Sequence, residues 1–290
     1  MPTVADVARR AGVSTATVSR ALNSPAVVAA PTLARVTAAI EALGYVPNTA
    51  ARRLAGGATG ALGLLLPGLA GPWFSELLAG VEATARAAGR SLLVSAIDPE
   101  GPPAADLAPA DPAFVDGTII LPHAVTGAAV DRLARQGRPV VLVERTHPVL
   151  PTVSFDPATG IREAIRHLAL DHGAREIACL AGPSEAEASV RREMRWAAEL
   201  LALDLVPRRE LLIHGTWSEA SGMEMALALL AAGRRFDAIL TASDETAIGA
   251  LAGLAQAGRR VPEDVPVIGF DDIPPAAWTR PALTTVAAPA

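Results

Sequence analysis

Apolar positions follow two different rhythms along this chain. Up to about residue 47 they recur at helical spacing over short stretches: Ala5, Val7, Ala8 and Ala11, then Val13, Val18 and Leu22, then Val36, Ile40 and Leu43. This spacing predicts three helices. Thr3 caps the first, Asp6 completes a capping-box pair with it, and Gly12 ends it in the left-handed conformation. Ser14 caps a second helix over Thr15 to Leu22. Pro31 suits the first turn of a third, which runs to about Leu43 and stops at Gly44. Tyr45-Val46-Pro47 interrupts the pattern, and Asn48 caps a fourth helix, Thr49 to Ala55, ahead of Gly56-Gly57. A helix that short is not stable alone in water and suits a linker that folds on binding.

From Ala61 the rhythm changes. Continuous apolar runs near 61–66, 91–96, 117–121, 139–143, 176–181, 211–213, 237–241 and 265–270 alternate with helical patterns at 74–88, 127–136, 158–171, 189–203, 219–232 and 244–257. Apolar strands alternating with helices predict parallel sheets covered on both faces. About four strands precede residue 150 and about four follow, which two doubly wound lobes explain better than one wide sheet. The expected architecture is a small all-α headpiece (1–47), a hinge (48–59) and an α/β core of two parallel-sheet lobes (60–290). The first lobe spans about 60–150 with 281–290, and the second about 151–280. The segment 99–112 holds five prolines and reads as a loop or a short helix.

Two short helices across a glycine turn, the second exposing Thr15, Ala16, Ser19 and Arg20, form the pattern of a helix-turn-helix whose second helix enters a major groove. An alanine-rich helical hairpin would share the spacing. Charge separates the two. Over all 290 residues the net charge is −5, but residues 1–59 set Arg9, Arg10, Arg20, Arg35, Arg52 and Arg53 against Asp6 and Glu41, leaving that part net basic and the rest strongly acidic. A basic head on an acidic body fits a single nucleic-acid-binding module. The chain contains no lysine, so every cationic phosphate contact must come from arginine.

The remaining composition narrows the function. Cys179, the one cysteine, lies in the apolar run IACL and reads as a buried small residue, which excludes an internal disulfide framework. The five histidines lack ligand spacing, so neither a metal nor a cofactor is expected. No Walker loop, no G-x-S-x-G and no H-E-x-x-H occurs, and GATGALG at 57–63 precedes its strand instead of following it, so an enzyme is not expected. The N-terminus lacks an apolar signal region and no run reaches the ~20 residues that span a bilayer, which points to the cytoplasm.

The stretches DVARRAGVSTATVSRALN and AIEALGYVPNTAARRLAGG resemble the DNA-binding headpiece and hinge of the lac repressor/galactose repressor (LacI/GalR) family of bacterial transcription regulators. The resemblance continues through GLLLPGLAGPWFSELLAGVE, VDGTIIL, TASDETAIGALAGLAQAGRRVPEDVPVIGFDD and PALTTV, in the family's order. It implies a helix-turn-helix repressor with a periplasmic-binding-protein-like core, acting as a homodimer or dimer of dimers on near-palindromic operator DNA. An effector, a sugar or sugar phosphate by the chemistry of the cleft, with a purine as the other candidate, would bind between the lobes. Alternatives are a dimeric DNA binder with a degenerate cleft, and a transport-type sugar-binding protein.

The resemblance places Thr15, Ala16 and Arg20 at base-reading positions. Arginine can contact a guanine edge bidentately, whereas alanine can meet only a thymine methyl. Thr3, Ser14, Thr17, Ser19 and Asn23 suit phosphates, which set register. The resemblance also implies that Leu54 wedges into the minor groove, with Ala51 and Arg52 lining it. Around the effector it places Trp73, Phe74, Glu144, Arg192, Trp217, Ser243 and Asp271. Charged groups can engage neighbouring hydroxyls, and indoles can stack on a sugar face. Taken singly, Arg192 also suits a surface salt bridge, Trp217 core packing and Glu144 a solvated loop. The chain departs from the family at Ser243, where asparagine is usual, at Arg195, where glycine is usual, and at Glu144, where a shorter aspartate is common. It stops at TTVAAPA, short of the family's usual end, so an unpaired strand edge and reduced stability are expected.

Overall fold

A computed structural model of the chain describes residues 2–45, 58–68, 71–96, 110–121 and 125–288, with only the backbone described at Asn23. The chain divides into two compact units, Met1–Thr59 and Gly60–Ala290.

The first unit contains helices α1 (Val4–Ala11), α2 (Thr15–Asn23) and α3 (Ala30–Leu43), with a 3-10 turn at Pro25–Val27. Each helix end has a local cause. The Thr3 hydroxyl accepts from Asp6 N at 3.3 Å, and the Asp6 carboxylate accepts from Thr3 N at 2.9 Å. Gly12 has φ 64°, ψ 43°, which lets the chain reverse without steric cost. Ser14 Oγ accepts from Thr17 N at 3.2 Å. Val7, Val18 and Val36, all at most 1 % exposed, close a small core with Ala8, Ala11, Ala21 and Ala39.

The second unit contains two five-stranded parallel sheets. The first comprises β1 (Ala61–Leu66), β2 (Ser91–Ala96), β3 (Gly117–Ile120), β4 (Val140–Val143) and β5 (Thr152–Val153), in the order β2-β1-β3-β4-β5. Helices α4 (Pro72–Ala87) and α5 (Gly127–Arg135) connect its strands. The second comprises β6 (Ile177–Ala181), β7 (Leu212–His214), β8 (Ala238–Thr241), β9 (Val267–Asp271) and β10 (Thr284–Ala287), in the order β10-β9-β8-β6-β7. Helices α6 (Ala158–Arg166), α7 (Glu187–Leu201), α8 (Glu219–Ala231) and α9 (Asp244–Gln256) accompany it. The central strands β6 and β8 are buried along their whole length, as sheets covered on both faces require. Cys179 lies within β6, and burial raises its thiol pKa far above the usual range.

Helices α8 and α9 approach so closely that no side chain fits at two of their contact points. A Cβ at Gly222 would fall 2.0 Å from Thr246 O, and one at Gly249 would fall 1.9 Å from Glu219 O.

The structure corrects the sequence expectations in three places. Each sheet has five strands instead of four, because β5 and β10 are too short or too polar to register as apolar runs. Residues 284–287, expected in the first lobe, pair with β9 and so belong to the second sheet; Val286 packs against Gly160 of α6 and the core beneath it. The helix expected over 158–171 is α-helical only to Arg166 and continues as a π-helical turn, His167–Asp171.

Candidate functional site

In the first unit, burial of Val18 and Ala21 turns α2 so that Thr15, Ala16, Ser19 and Arg20 are exposed. Arg20 therefore stands on the exposed side of a helix whose apolar side is held by the core. Among the residues assigned to phosphate contacts, Thr3 and Ser14 also work as caps, and the Ser14 and Thr17 hydroxyls lie 2.9 Å apart. A hydroxyl has donor and acceptor capacity beyond one such bond. The Asn23 side chain, Ala51, Arg52 and Leu54 lie outside the described residues.

In the second unit, most of the assigned cleft residues follow the C-terminal ends of parallel strands, where α/β sheets present their ligand-binding loops. Glu144 follows β4, Trp217 follows β7, Ser243 follows β8, Asp271 ends β9, and Trp73 and Phe74 open the helix after β1. Arg192 comes from α7 and is buried among them. Its guanidinium carbon sits 4.0 Å from the centroid of the Phe270 ring and 5.5 Å from those of Phe155 and Trp217. It donates to the Ala242 carbonyl and reaches Asp271 Oδ1 at 3.5 Å. Phe155 and Phe270 stack with centroids 5.8 Å apart. Trp217 covers Gly182, where an added Cβ would fall 2.6 Å from the indole.

Burial raises the pKa of two carboxyls near this cation, Asp271 and Asp244, and of the neighbouring Glu245. Burial pushes Asp271 up to about 7, against the opposing pull of Arg192 and helped by Asp244, Glu245 and Glu144. Burial likewise raises Asp244 to about 6, although its carboxylate accepts from Thr285 Oγ1 at 2.5 Å and Ile273 N at 2.9 Å. Burial and the neighbouring Glu219 and Asp244 raise Glu245 to about 7. Arg192 is shifted downward, chiefly by burial. Positive φ occurs at Glu144 (54°), Asp271 (115°) and Asp272 (62°), at or next to assigned residues, and also at Asp204 (57°) in the turn after α7.

Not every assigned residue presents itself in the same way. Glu144 is 6 % exposed and fully engaged: Phe155 N donates to Oε1 at 2.9 Å and Arg191 donates to Oε2. Ser243 caps α9, accepting from Thr246 N at 3.2 Å. Trp73 packs against apolar clusters of both sheets, and its ring lies 5.1 Å from that of Phe74, edge to face. Glu245 comes close to Gly71 at the start of α4, beside Phe74. Arg195 pairs with Glu199 on its own helix at 3.8 Å, and Arg192 stays between Phe270 and Asp271.

Sequence reasoning missed Phe155, Arg191, Asp244 and Glu245. The doubled arginine at 191–192 held a usable signal, since two neighbours on a helix point about 100° apart and can serve different partners. Phe155 gave none, because it follows a two-residue strand. A further link joins the lobes: Glu187 Oε2 accepts from Thr146 N at 2.8 Å and from Thr146 Oγ1 at 2.9 Å.

Residues 3–48 match the model of bacterial regulatory proteins of the lacI family, and residues 165–290 match that of a periplasmic binding protein-like domain. The HTH-type transcriptional regulator AscG of Escherichia coli (strain K12) is 33 % identical over 303 residues, covering 100 % of this chain and 88 % of its own. Catabolite control protein A of Priestia megaterium is 32 % identical, covering 99 % and 87 %. Among solved structures, the lac repressor dimer bound to operator and the anti-inducer ONPF matches with a TM-score of 0.84 at 30 % identity, covering 98 % of this chain and 86 % of that one. The transcriptional regulator CelR in complex with cellobiose matches at 0.73 and 30 % identity, covering 100 % and 88 %.

Proposed function

The chain belongs to the lacI family of bacterial regulatory proteins, and from that premise we propose how this DNA-binding transcriptional regulator divides its work between two sites. As a homodimer or dimer of dimers it reads near-palindromic operator DNA through Thr15, Ala16 and Arg20, with Thr3, Ser14, Thr17, Ser19 and Asn23 on phosphates. Ala51, Arg52 and Leu54 engage the minor groove. A polyhydroxyl effector, a sugar or sugar phosphate, occupies the cleft and shifts operator affinity. Relatives support both halves: one solved neighbour carries operator and another carries cellobiose.

The observation that carries the effector reading is Arg192, held over Phe270 beside Asp271 and Trp217. A fixed guanidinium fork and a carboxylate can bind adjacent hydroxyls, and the indole supplies a flat apolar face for the C–H side of a sugar ring. Glu144 and Ser243 support this reading less, because each is committed to a partner inside the protein. Those same commitments favour the second reading, a regulator whose core only dimerises.

Operator selected from random DNA, followed by gel shifts across a panel of mono- and disaccharides and their phosphates, tests the proposal. A ligand that changes operator affinity in the wild type and not in Asp271→Asn supports it. Operator binding indifferent to every ligand, with no ligand shifting the melting of the core, supports the second reading. Linkage requires reciprocity: an effector that weakens operator binding must itself bind less tightly when operator is present.

A further inference from the structure

The turn between α6 and β6 carries a cluster that neither DNA reading nor effector binding uses. His167 Nε2 and His172 Nε2 lie 3.1 Å apart, with the two rings edge to face at 4.6 Å. His167 Nδ1 lies 2.8 Å from Asp171 Oδ2. The π-helical turn makes this possible. Positions i and i+5 of an α-helix project about 140° apart and cannot meet. Here the chain closes from His172 N to His167 O at 3.3 Å, the i to i+5 bond of a π-turn, which brings the two rings together. Such turns inside helices recur at functional sites. All three side chains reach solvent: those of His167 and Asp171 are 44 % and 69 % exposed, and His172 is exposed.

We infer that His167 and His172 form a binding site for a divalent first-row transition cation of the copper, nickel or zinc kind, with Asp171 as its outer-shell carboxylate. With metal–nitrogen bonds of about 2.0–2.1 Å, two nitrogens 3.1 Å apart subtend roughly 100° at a shared ion. That angle lies between the right angle of tetragonal sites and the wider angle of tetrahedral ones, the geometries imidazole-bound copper, nickel and zinc adopt. Asp171 fixes the chemistry of the pair. A proton on His167 Nδ1, donated to the Asp171 carboxylate, leaves the Nε2 lone pair facing His172, the usual carboxylate–histidine–metal arrangement. Without a cation, His172 donates its Nε2 proton to that lone pair. With a cation, His172 carries its proton on Nδ1 instead, and both Nε2 lone pairs coordinate with no net proton released. Among the described residues no group of three or more His, Cys, Asp or Glu side chains is placed to hold one ion. Water or an external ligand therefore completes the coordination shell, as the exposure of the turn allows.

Copper(II) is the probe of choice because it heads the affinity series for nitrogen sites. Calorimetric titration of the full chain, free of any affinity tag, is expected to show an ion whose binding weakens at least tenfold in His167→Ala and in His172→Ala. Asp171→Asn is expected to weaken it about tenfold, the scale of outer-shell substitutions. On the wild-type chain, substoichiometric copper(II) should broaden the imidazole C–H resonances of His167 and His172 before those of His147 and His214. This second measurement does not depend on any variant folding. Equal affinity and stoichiometry in the His167→Ala/His172→Ala double variant would overturn the inference. So would broadening that begins at other histidines, or the absence of binding at millimolar copper(II).

Discussion

The recognition helix and the cleft use arginine in opposite ways. Arg20 stands exposed on a helix whose apolar side is anchored and whose N-terminus is capped by its own hydroxyl residues. Arg192 is buried, stacked on Phe270, and joined to Asp271 and the Ala242 carbonyl. In the proposed function the first presents an open fork to DNA, which brings the counter-charge. The second supplies part of its own counter-charge, and a ligand must offer better geometry than the internal partners or add to them. Sequence-specific reading needs an available hydrogen-bonding edge, whereas a responsive cleft needs a buried network that a ligand can rearrange.

The sharpest way to break this comparison is to remove each arginine. Arg192→Met removes the cation that lowers the Asp271 pKa, so Asp271 answers by taking up a proton, and the expected cost is that of a buried polar group left without its partner, about 1–3 kcal/mol. All four tryptophans, Trp73, Trp196, Trp217 and Trp278, lie in the second unit. Denaturant unfolding followed by tryptophan fluorescence therefore reports on that unit, and a loss under ~1 kcal/mol would show that the pair does not hold the cleft. Arg20→Ala is expected to leave the fold intact and to remove about 1–3 kcal/mol of discrimination between operator and scrambled DNA in gel shifts. Unfolding instead of lost discrimination would mean that Arg20 serves the headpiece core.

Smaller changes refine the contrast. Ser14→Ala removes the cap of the recognition helix and should cost about 1 kcal/mol, read from Tyr45 fluorescence or headpiece NMR signals, with the second unit unaffected. Acid should act on the two regions with opposite sign. Asp6 is held below its ordinary pKa by Thr3 and Arg9, so its contribution is present above the unfolded pKa and lost as pH falls. Asp271, Asp244 and Glu245 are raised to about 7, 6 and 7. Each binds its proton more tightly folded than unfolded, so its contribution to stability declines as pH rises from about 4 toward 7. Glu245→Gln should therefore flatten the fall in stability of the second unit between pH 5 and 7.5. An unchanged slope would remove Glu245 from that account.

How much could be read from the residues follows the range of the interactions. Strand β1 coincides with the apolar run at 61–66, because a parallel strand covered on both faces must be continuously apolar, whereas the edge strand β2 registers through Leu92, Leu93 and Val94 although none of its residues is fully buried. Strand β10 escaped because TTVA has the composition of a partly exposed edge. The turn at His167 escaped because i to i+5 bonding carries no apolar period of its own.

The sequence by itself determined the headpiece. Its caps, its glycine turn and the exposed face of α2 arise from residues within a few positions of each other, where the chain's own geometry decides the outcome. It also determined the alternation of β and α that forces two covered sheets. Only the tertiary structure decided what the cleft residues do. Glu144 meets Arg191 across 47 positions, and Arg192 meets Asp271 across 79. No local rule selects Arg191 over Arg192 for either carboxylate; burial and the position of α7 against the strand ends select it. The same distinction separates the exposed arginine, whose role follows from its helix, from the buried one, whose role follows from its neighbours.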